Sequence, residues 1–142
     1  MILRVNIVKG LENTSIAKAI RLAVFVDEQG FEDEFDQIDD IAWHIEGWDQ
    51  GLPIAVGRMF ESDHPSIYTI GRIAVIKEFR QKNVGKAVME ALENHARQLK
   101  AIAIELSAQC SAEGFYEKLG YIRQGEVYLD QFCPHIKMVK NL

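Results

Sequence analysis

Apolar positions along the chain recur at two spacings, and the switches between them set out the elements. "LRVNIV" alternates and predicts a first strand. Ile16, Ala19, Ile20, Ala23 and Val24 then fall at i, i+3, i+4, i+7 and i+8, one face of a helix with Thr14 or Ser15 as its N-cap. "DEQGFEDEFDQIDD" breaks the pattern: eight carboxylates and no basic residue across positions 27 to 40 predict a self-repelling loop rather than a packed element. "AWHIEGW", "PIAVGRMF" and "IYTIGRIAVI" follow as strand-like runs whose short connections, "DQGLP" and "ESDHPS", suit an antiparallel meander. Val84, Ala87, Val88, Ala91, Leu92, His95 and Leu99 trace a helical stripe, and "AIAIELSA" is a short buried strand after it. Strand, helix, strand implies a parallel crossover. Ser111 is placed to cap a short helix "AEGFYEKLG" that stops at Gly120, and "YIRQGEVYL" and "HIKMVK" close the chain as paired strands. The sum is an α+β fold with a mixed, mainly antiparallel sheet.

No repeat, low-complexity tract or linker interrupts the 142 residues, so a single domain spanning 1–142 is expected. A hydrophobic share of 48% is enough for one sizeable core. The net charge of -5 argues against a general nucleic-acid binder and favours a small or cationic partner. "MILRVNIVKG" has too short an apolar run for a signal peptide, and no stretch approaches the roughly 20 apolar residues of a membrane helix, so a soluble, cytoplasmic protein without a membrane partner is expected. Cys110 and Cys133 are two thiols without the count or spacing of a disulfide framework. Together with His135 they match no standard metal-ligand pattern, and no metal is expected.

Candidate chemistry sits first in "RQKNVGK", residues 80 to 86, where a buried strand runs into a helix. The first backbone N–H groups of a helix lack intrahelical partners and lie at its positive end, ready to bind an anion. Arg80, Lys82 and Lys86 add positive charge, and Gly85 removes a Cβ that would obstruct a diphosphate. The same residues also suit a solvated helix start with Gly85 serving only close packing. Neither G-x-x-x-x-G-K-[ST] nor G-x-G-x-x-G occurs, which disfavours nucleoside triphosphates and NAD.

Taken with its surroundings, the run resembles motif A of the GNAT superfamily of acyl-CoA-dependent N-acyltransferases, R/Q-x-x-G-x-G/A, here Arg80-x-x-Asn83-x-Gly85. "GRIAVIKEFRQKNVGKAVMEALENHA" is similar to the family's strand, loop and helix, and "AEGFYEKLGY" to its second signature, A-x-x-F-Y-x-K-L-G-F. "RLAVFVDEQGFEDEFDQIDDIAWHI" and "GEVYLDQFCPHIKM" resemble segments of the ElaA-like and YjcF-like branch, so the likeness spans nearly the whole chain. It implies a GNAT fold, a sheet of six to seven strands flanked by about four helices.

The resemblance further implies an acetyl-CoA-dependent N-acetyltransferase in which an amine of a small molecule or protein attacks the thioester directly in a ternary complex. Ile73, Ala74 and Val75 would pair with the pantetheine arm, and a strand N–H, nominated as that of Val75, would stabilise the oxyanion. Residues Arg80, Gln81, Lys82, Asn83, Val84, Gly85 and Lys86 would hold the pyrophosphate. Tyr116 occupies the general-acid position, and Tyr121 reads as core. Gln109 falls where many members carry an asparagine that contacts the arm. Asn83 replaces a glycine at small cost, because asparagine tolerates positive φ. The base that deprotonates the amine is left open among Glu28, Glu34, His44 and His135, while His95 reads as a satisfied core-edge histidine. The acidic loop either concentrates a cationic acceptor or is simply solvated. Arg21 and Arg72 either bind a substrate carboxylate or pair with those acids. Dimerisation through the last strands is common in the superfamily, so a homodimer is a further expectation. Two other readings stay open: a catalytically silent acyl-CoA-binding GNAT module acting as sensor or interaction domain, and a domain that presents its acidic loop to a basic partner.

Overall fold

The computed structural model describes residues 2–142. The chain enters as strand β1 (Arg4–Lys9), which leads into helix α1 (Ala17–Arg21), continued by π-helical turns over Leu22–Glu28. The N-cap position is Ile16 rather than Thr14 or Ser15, but Thr14 Oγ1 still steadies the entry, accepting the N–H groups of Ile16 at 3.4 Å and Ala17 at 3.2 Å. The buried face is Ile16, Ala17, Ile20, Arg21 and Val24; Ala19 and Ala23 are exposed. The apolar periodicity predicted a different face because it could not count an arginine as an inward-facing residue.

The meander follows as β2 (Trp43–Asp49), β3 (Leu52–Glu61) and β4 (Ile67–Val75), each antiparallel to its predecessor. Helix α2 (Val84–Gln98) crosses to β5 (Ala103–Gln109), parallel to β4 as the strand, helix, strand pattern requires. Helix α3 (Glu113–Lys118) ends at Gly120, whose φ of 96° makes the left-handed stop. No side chain caps α3, so Ser111 does not have the role its position suggested. Strands β6 (Ile122–Asp130) and β7 (Cys133–Asn141) close the chain, and β7 inserts between β5 and β6.

Among the described residues the sheet has seven strands in the order β1-β2-β3-β4-β5-β7-β6, flanked by three α-helices where about four were expected. Core residues lie on both sides. Val84, Val88, Met89, Leu92 and Ala96 of α2 pack with Ile45, Met59, Ile70, Ile104, Ile136 and Met138 of the strands. Ile16, Ala17, Ile20 and Val24 pack with Val56 and Ala74. No helix of the described residues is long and apolar enough to cross a membrane.

Two irregularities shape what lies between β4 and β5. The strands pair only at Ile67↔Ala103, Tyr68↔Ile104 and Thr69↔Glu105, then part. In the β3–β4 ladder, Arg58 faces Gly71 but Val56 faces Ala74, so β4 carries one extra residue in a bulge around Arg72 and Ile73. Arg72 takes a φ of 54° there, a left-handed conformation that few side chains adopt freely. Gly57 makes room for the bulge: a Cβ at that position would lie 2.6 Å from Ile73 Cδ1.

Candidate active site

The parted strands expose one edge of β4. Ile76 donates its N–H to Ile54 O on β3 at 2.9 Å, so by the alternation of an antiparallel ladder Val75 turns its own N–H and C=O toward the gap. Arg80 confirms that direction, its Nε donating to Val75 O at 2.9 Å. Ile73 lines the gap, whereas Ala74 is buried against α1. The main chain of β4 thus offers unpaired groups where the sheet is open.

At the end of β4 the chain turns into α2 through two left-handed residues, Gln81 and Asn83, both with φ of 62°. Asn83 is the N-cap residue and its side chain makes no capping bond. Ala87 N–H reaches Asn83 O at 3.1 Å, so the N–H groups of Val84, Gly85 and Lys86 have no intrahelical acceptor. Val84 is 2% exposed, which leaves only its backbone to act. Gly85 has a second constraint: a Cβ would lie 3.2 Å from Phe115 Cζ on α3.

The side chains of this loop behave less uniformly than its charge suggested. Arg80 is not a free cation, because it forms a bidentate pair with Glu28 at 2.9 and 2.7 Å. That hydrogen bond is the largest influence lowering the Glu28 pKa, so Glu28 holds no proton near neutrality and is a weak base. Lys82 Nζ lies 5.3 Å over the Phe79 ring, and Lys86 is exposed.

Across the gap, on the α1 side of the sheet, is a cavity of about 430 Å³. It brings together Ile73, Gln109, Tyr116 and His135 with Glu34 and Arg72, residues separated by up to 101 positions in the chain. His135 is 6% exposed and its Nδ1–H donates to Cys133 O at 2.9 Å. A carbonyl can only accept, so in the neutral ring Nε2 is the lone-pair nitrogen. The ring lies between Tyr128 (centroids 6.1 Å apart) and Phe31 (6.3 Å). Tyr128 OH in turn bonds Ser107 Oγ.

Tyr116 lies against the rings of Phe115 and Tyr121, and burial pushes its phenol up to about 12. Gln109 donates to Gln29 Oε1 at 2.9 Å, so its amide bridges the cavity. Tyr121 is core, as expected, its OH donating to Glu93 Oε2 at 2.8 Å with the pKa raised by burial.

His44 is not brought to the cavity. It is 1% exposed and its Nε2–H donates to Asp39 O at 2.9 Å, with its pKa lowered by burial. A histidine so placed props the preceding loop. His95 stays at the core edge, packed edge-on to Trp43 at 4.6 Å, but it is not satisfied: its buried Nε2 has no partner.

The acidic segment is the main correction to the sequence reading. Arg21, 1% exposed, donates to Glu34 at 2.8 Å and to Asp39 at 2.7 Å. Arg58 joins Asp36 at 2.7 Å and Asp39 at 2.9 Å, and Arg72 joins Glu34 at 2.9 Å. Three arginines thereby neutralise three carboxylates, and the segment is a packed, cross-linked wall rather than a repelling loop. Both arginines singled out from the sequence pair with the acids. Asp39 is held down to about 2, the Arg21 and Arg58 bonds outweighing the burial that would raise it. Arg58 was missed; its signal was a lone charge in the apolar run "PIAVGRMF". Phe25, Phe31, Asp130 and Gln131, also lining the cavity, gave no local signal.

The sequence profile of the Acetyltransferase (GNAT) domain matches residues 17–142. The uncharacterised N-acetyltransferase YjcF of Bacillus subtilis (strain 168) is 35% identical, over 95% of this chain and 97% of its own. Protein ElaA of Escherichia coli (strain K12) is 32% identical over 87% of this chain and 84% of its own. The crystal structure of Escherichia coli ElaA superposes with a TM-score of 0.84 at 28% identity, covering 98% of this chain and 99% of that one. A crystal structure assigned as an N-acetyltransferase from Lactobacillus plantarum gives a TM-score of 0.90 at 28% identity, covering 99% and 98%.

Proposed function

The chain belongs to the GNAT acetyltransferase family, and from that premise we propose that it transfers an acetyl group from acetyl-CoA to an amine by direct attack in a ternary complex, as a cytoplasmic enzyme. The observation that carries this reading is the parting of β4 from β5 after three residue pairs, with uncapped α2 at one end of the gap and a cavity beside it that both His135 and Tyr116 line.

Acetyl-CoA would supply the acetyl thioester. The N–H groups of Val84, Gly85 and Lys86, with Asn83 and Gln81 shaping the turn, would hold its pyrophosphate. The free edge of β4 from Ile73 to Val75 would pair with its pantetheine arm, and Val75 N–H would polarise the acyl oxygen. His135 Nε2 accepts the first proton of the acceptor ammonium. As the N–C bond forms and the C–S bond breaks, a second proton leaves the nitrogen; one of the two ends on sulfur and the other reaches solvent. Tyr116 holds its proton throughout the working range, so its hydroxyl stabilises the departing sulfur by donating a hydrogen bond. Full transfer from a phenol near 12 to a thiolate with a pKa of about 8.5 would be uphill by about 5 kcal/mol, so the sulfur takes its proton by way of solvent rather than from Tyr116.

Acetyl-CoA should raise the melting temperature; no shift at millimolar concentration removes the reading. His135→Gln is expected to lower kcat about a hundredfold and Tyr116→Phe about tenfold, both with the acetyl-CoA shift retained. Undiminished turnover in Tyr116→Phe would leave water in its role. Thiol release from no amine, with the shift intact, would favour a silent acyl-CoA-binding module. A homodimer through β6 is part of the proposal: all nine of its residues are exposed, Ile122 at 73% and Leu129 at 69% among them. Sedimentation at micromolar concentration tests it.

A further inference from the structure

Of the eight carboxylates between residues 27 and 40, Glu28, Glu34, Asp36 and Asp39 are held by arginines. Glu32 and Asp33 have no basic partner among the described residues. Both line the cavity, where they are joined by Asp130 from the end of β6, likewise unpaired. The rim they form is fixed: Glu32 N–H donates to Gln131 Oε1 at 2.9 Å, Gln131 Nε2 donates to Glu32 O at 2.8 Å, and Phe31 stacks on Phe132 at 5.0 Å. The three carboxylates do not form a metal site, since no group of three ligating side chains among the described residues is close enough to hold an ion. Within the same cavity, His135 is 94% buried by its 6% exposure and presents an unpartnered Nε2.

We propose that the acceptor is a diamine or polyamine: one amine reacts at His135, the methylene spacer lies along Phe25, Phe31 and Phe60, and a second ammonium sits among Glu32, Asp33 and Asp130. This rests on the cavity being the acceptor site. A spread set of unpaired carboxylates suits a diffuse organic cation, and aromatic walls favour both the spacer and its charge. A carboxylate-bearing acceptor is the poorer fit, because the charges of Arg58 and Arg72 are already answered by Glu34, Asp36 and Asp39, although the buried Arg58 Nε itself has no hydrogen-bond partner.

Calorimetry on CoA-loaded protein at low salt, comparing 1,4-diaminobutane and spermidine with butylamine, tests the proposal. The diamine and polyamine should bind at least about tenfold more tightly than the monoamine, and the ratio should collapse toward one in the Glu32→Gln/Asp33→Asn/Asp130→Asn variant. All three positions are exposed, so that variant is expected to fold. Equal binding of butylamine, a ratio that survives the triple substitution, or tighter binding of an amino acid would each overturn the proposal. Thiol release measured alongside separates the two readings. A binding preference without release keeps this inference and removes the enzyme; release without preference does the reverse.

Discussion

The turn at residues 80–86 and the segment at residues 27–40 both carry charge beside the parted strands, yet they are built by opposite means. The first is made of main chain: left-handed φ at Gln81 and Asn83, then N–H groups with no intrahelical acceptor. The second is made of side chains, the buried carboxylates of Glu34 and Asp39 and the exposed one of Asp36 against arginines brought from α1, β3 and β4. A main-chain site tolerates substitution wherever the backbone shape survives. A side-chain network does not, because removing one member strands the others in a medium that solvates them poorly.

The contrast is broken most severely at Arg21. Arg21→Met leaves Glu34 and Asp39 without their shared partner and should cost about 3–5 kcal/mol in urea unfolding, far above an ordinary surface change. A loss under 1 kcal/mol would show the network to be dispensable. Acid is a gentler probe. Asp39, depressed to about 2 from 3.8, contributes roughly 2 kcal/mol that is complete above about pH 4 and disappears as pH falls through about 2, because below 3.8 the unfolded chain binds the proton first. His44, lowered by burial, acts at higher pH, since unfolding lets it take a proton that the folded state resists, and stability should begin to fall below about pH 6.5. Melting curves from pH 7 to 2 read both.

The smallest effects belong to the main-chain turn. Asn83→Ala forces a Cβ without a compensating amide into left-handed φ and should cost about 1 kcal/mol, with weaker acetyl-CoA binding. Asn83→Gly should change stability by less than about 0.5 kcal/mol and keep or tighten that binding. Loss of binding in the glycine variant would make the asparagine amide itself a ligand. Arg80→Gln removes an exposed pair and should cost under about 1 kcal/mol. Thermal shift with and without acetyl-CoA covers all three.

This difference also explains what the sequence disclosed. Strands and helices followed from spacing because each needs only neighbours along the chain. Asn83 was legible for the same reason: its φ is a local property, and asparagine replaces glycine there at small cost. The carboxylates were misread as a repelling loop, and the role of Arg21 was left open between two readings, because their partners come from other elements; the nearest, Glu34, is 13 residues from Arg21. In isolation eight acids repel, and nothing in "DEQGFEDEFDQIDD" reports that half of them are answered elsewhere. His44 and His135 looked alike on strands, yet one donates to the carbonyl of a loop it supports and the other turns a free nitrogen into the cavity.

The seam between β4 and β5 has a mechanical consequence. Strands β1 to β4 form one half of the sheet and β5, β7 and β6 the other, joined edge to edge by three residue pairs and spanned by α2. Such a molecule is a hinged pair of plates rather than one slab. Amide hydrogen exchange should be fastest at the N–H groups of β4 that face the open seam, while the ladders of β2 with β3 and of β5 with β7 remain slow. A ligand lying along β4 acts as the missing strand, so its protection should extend beyond the residues it touches and stiffen both plates together.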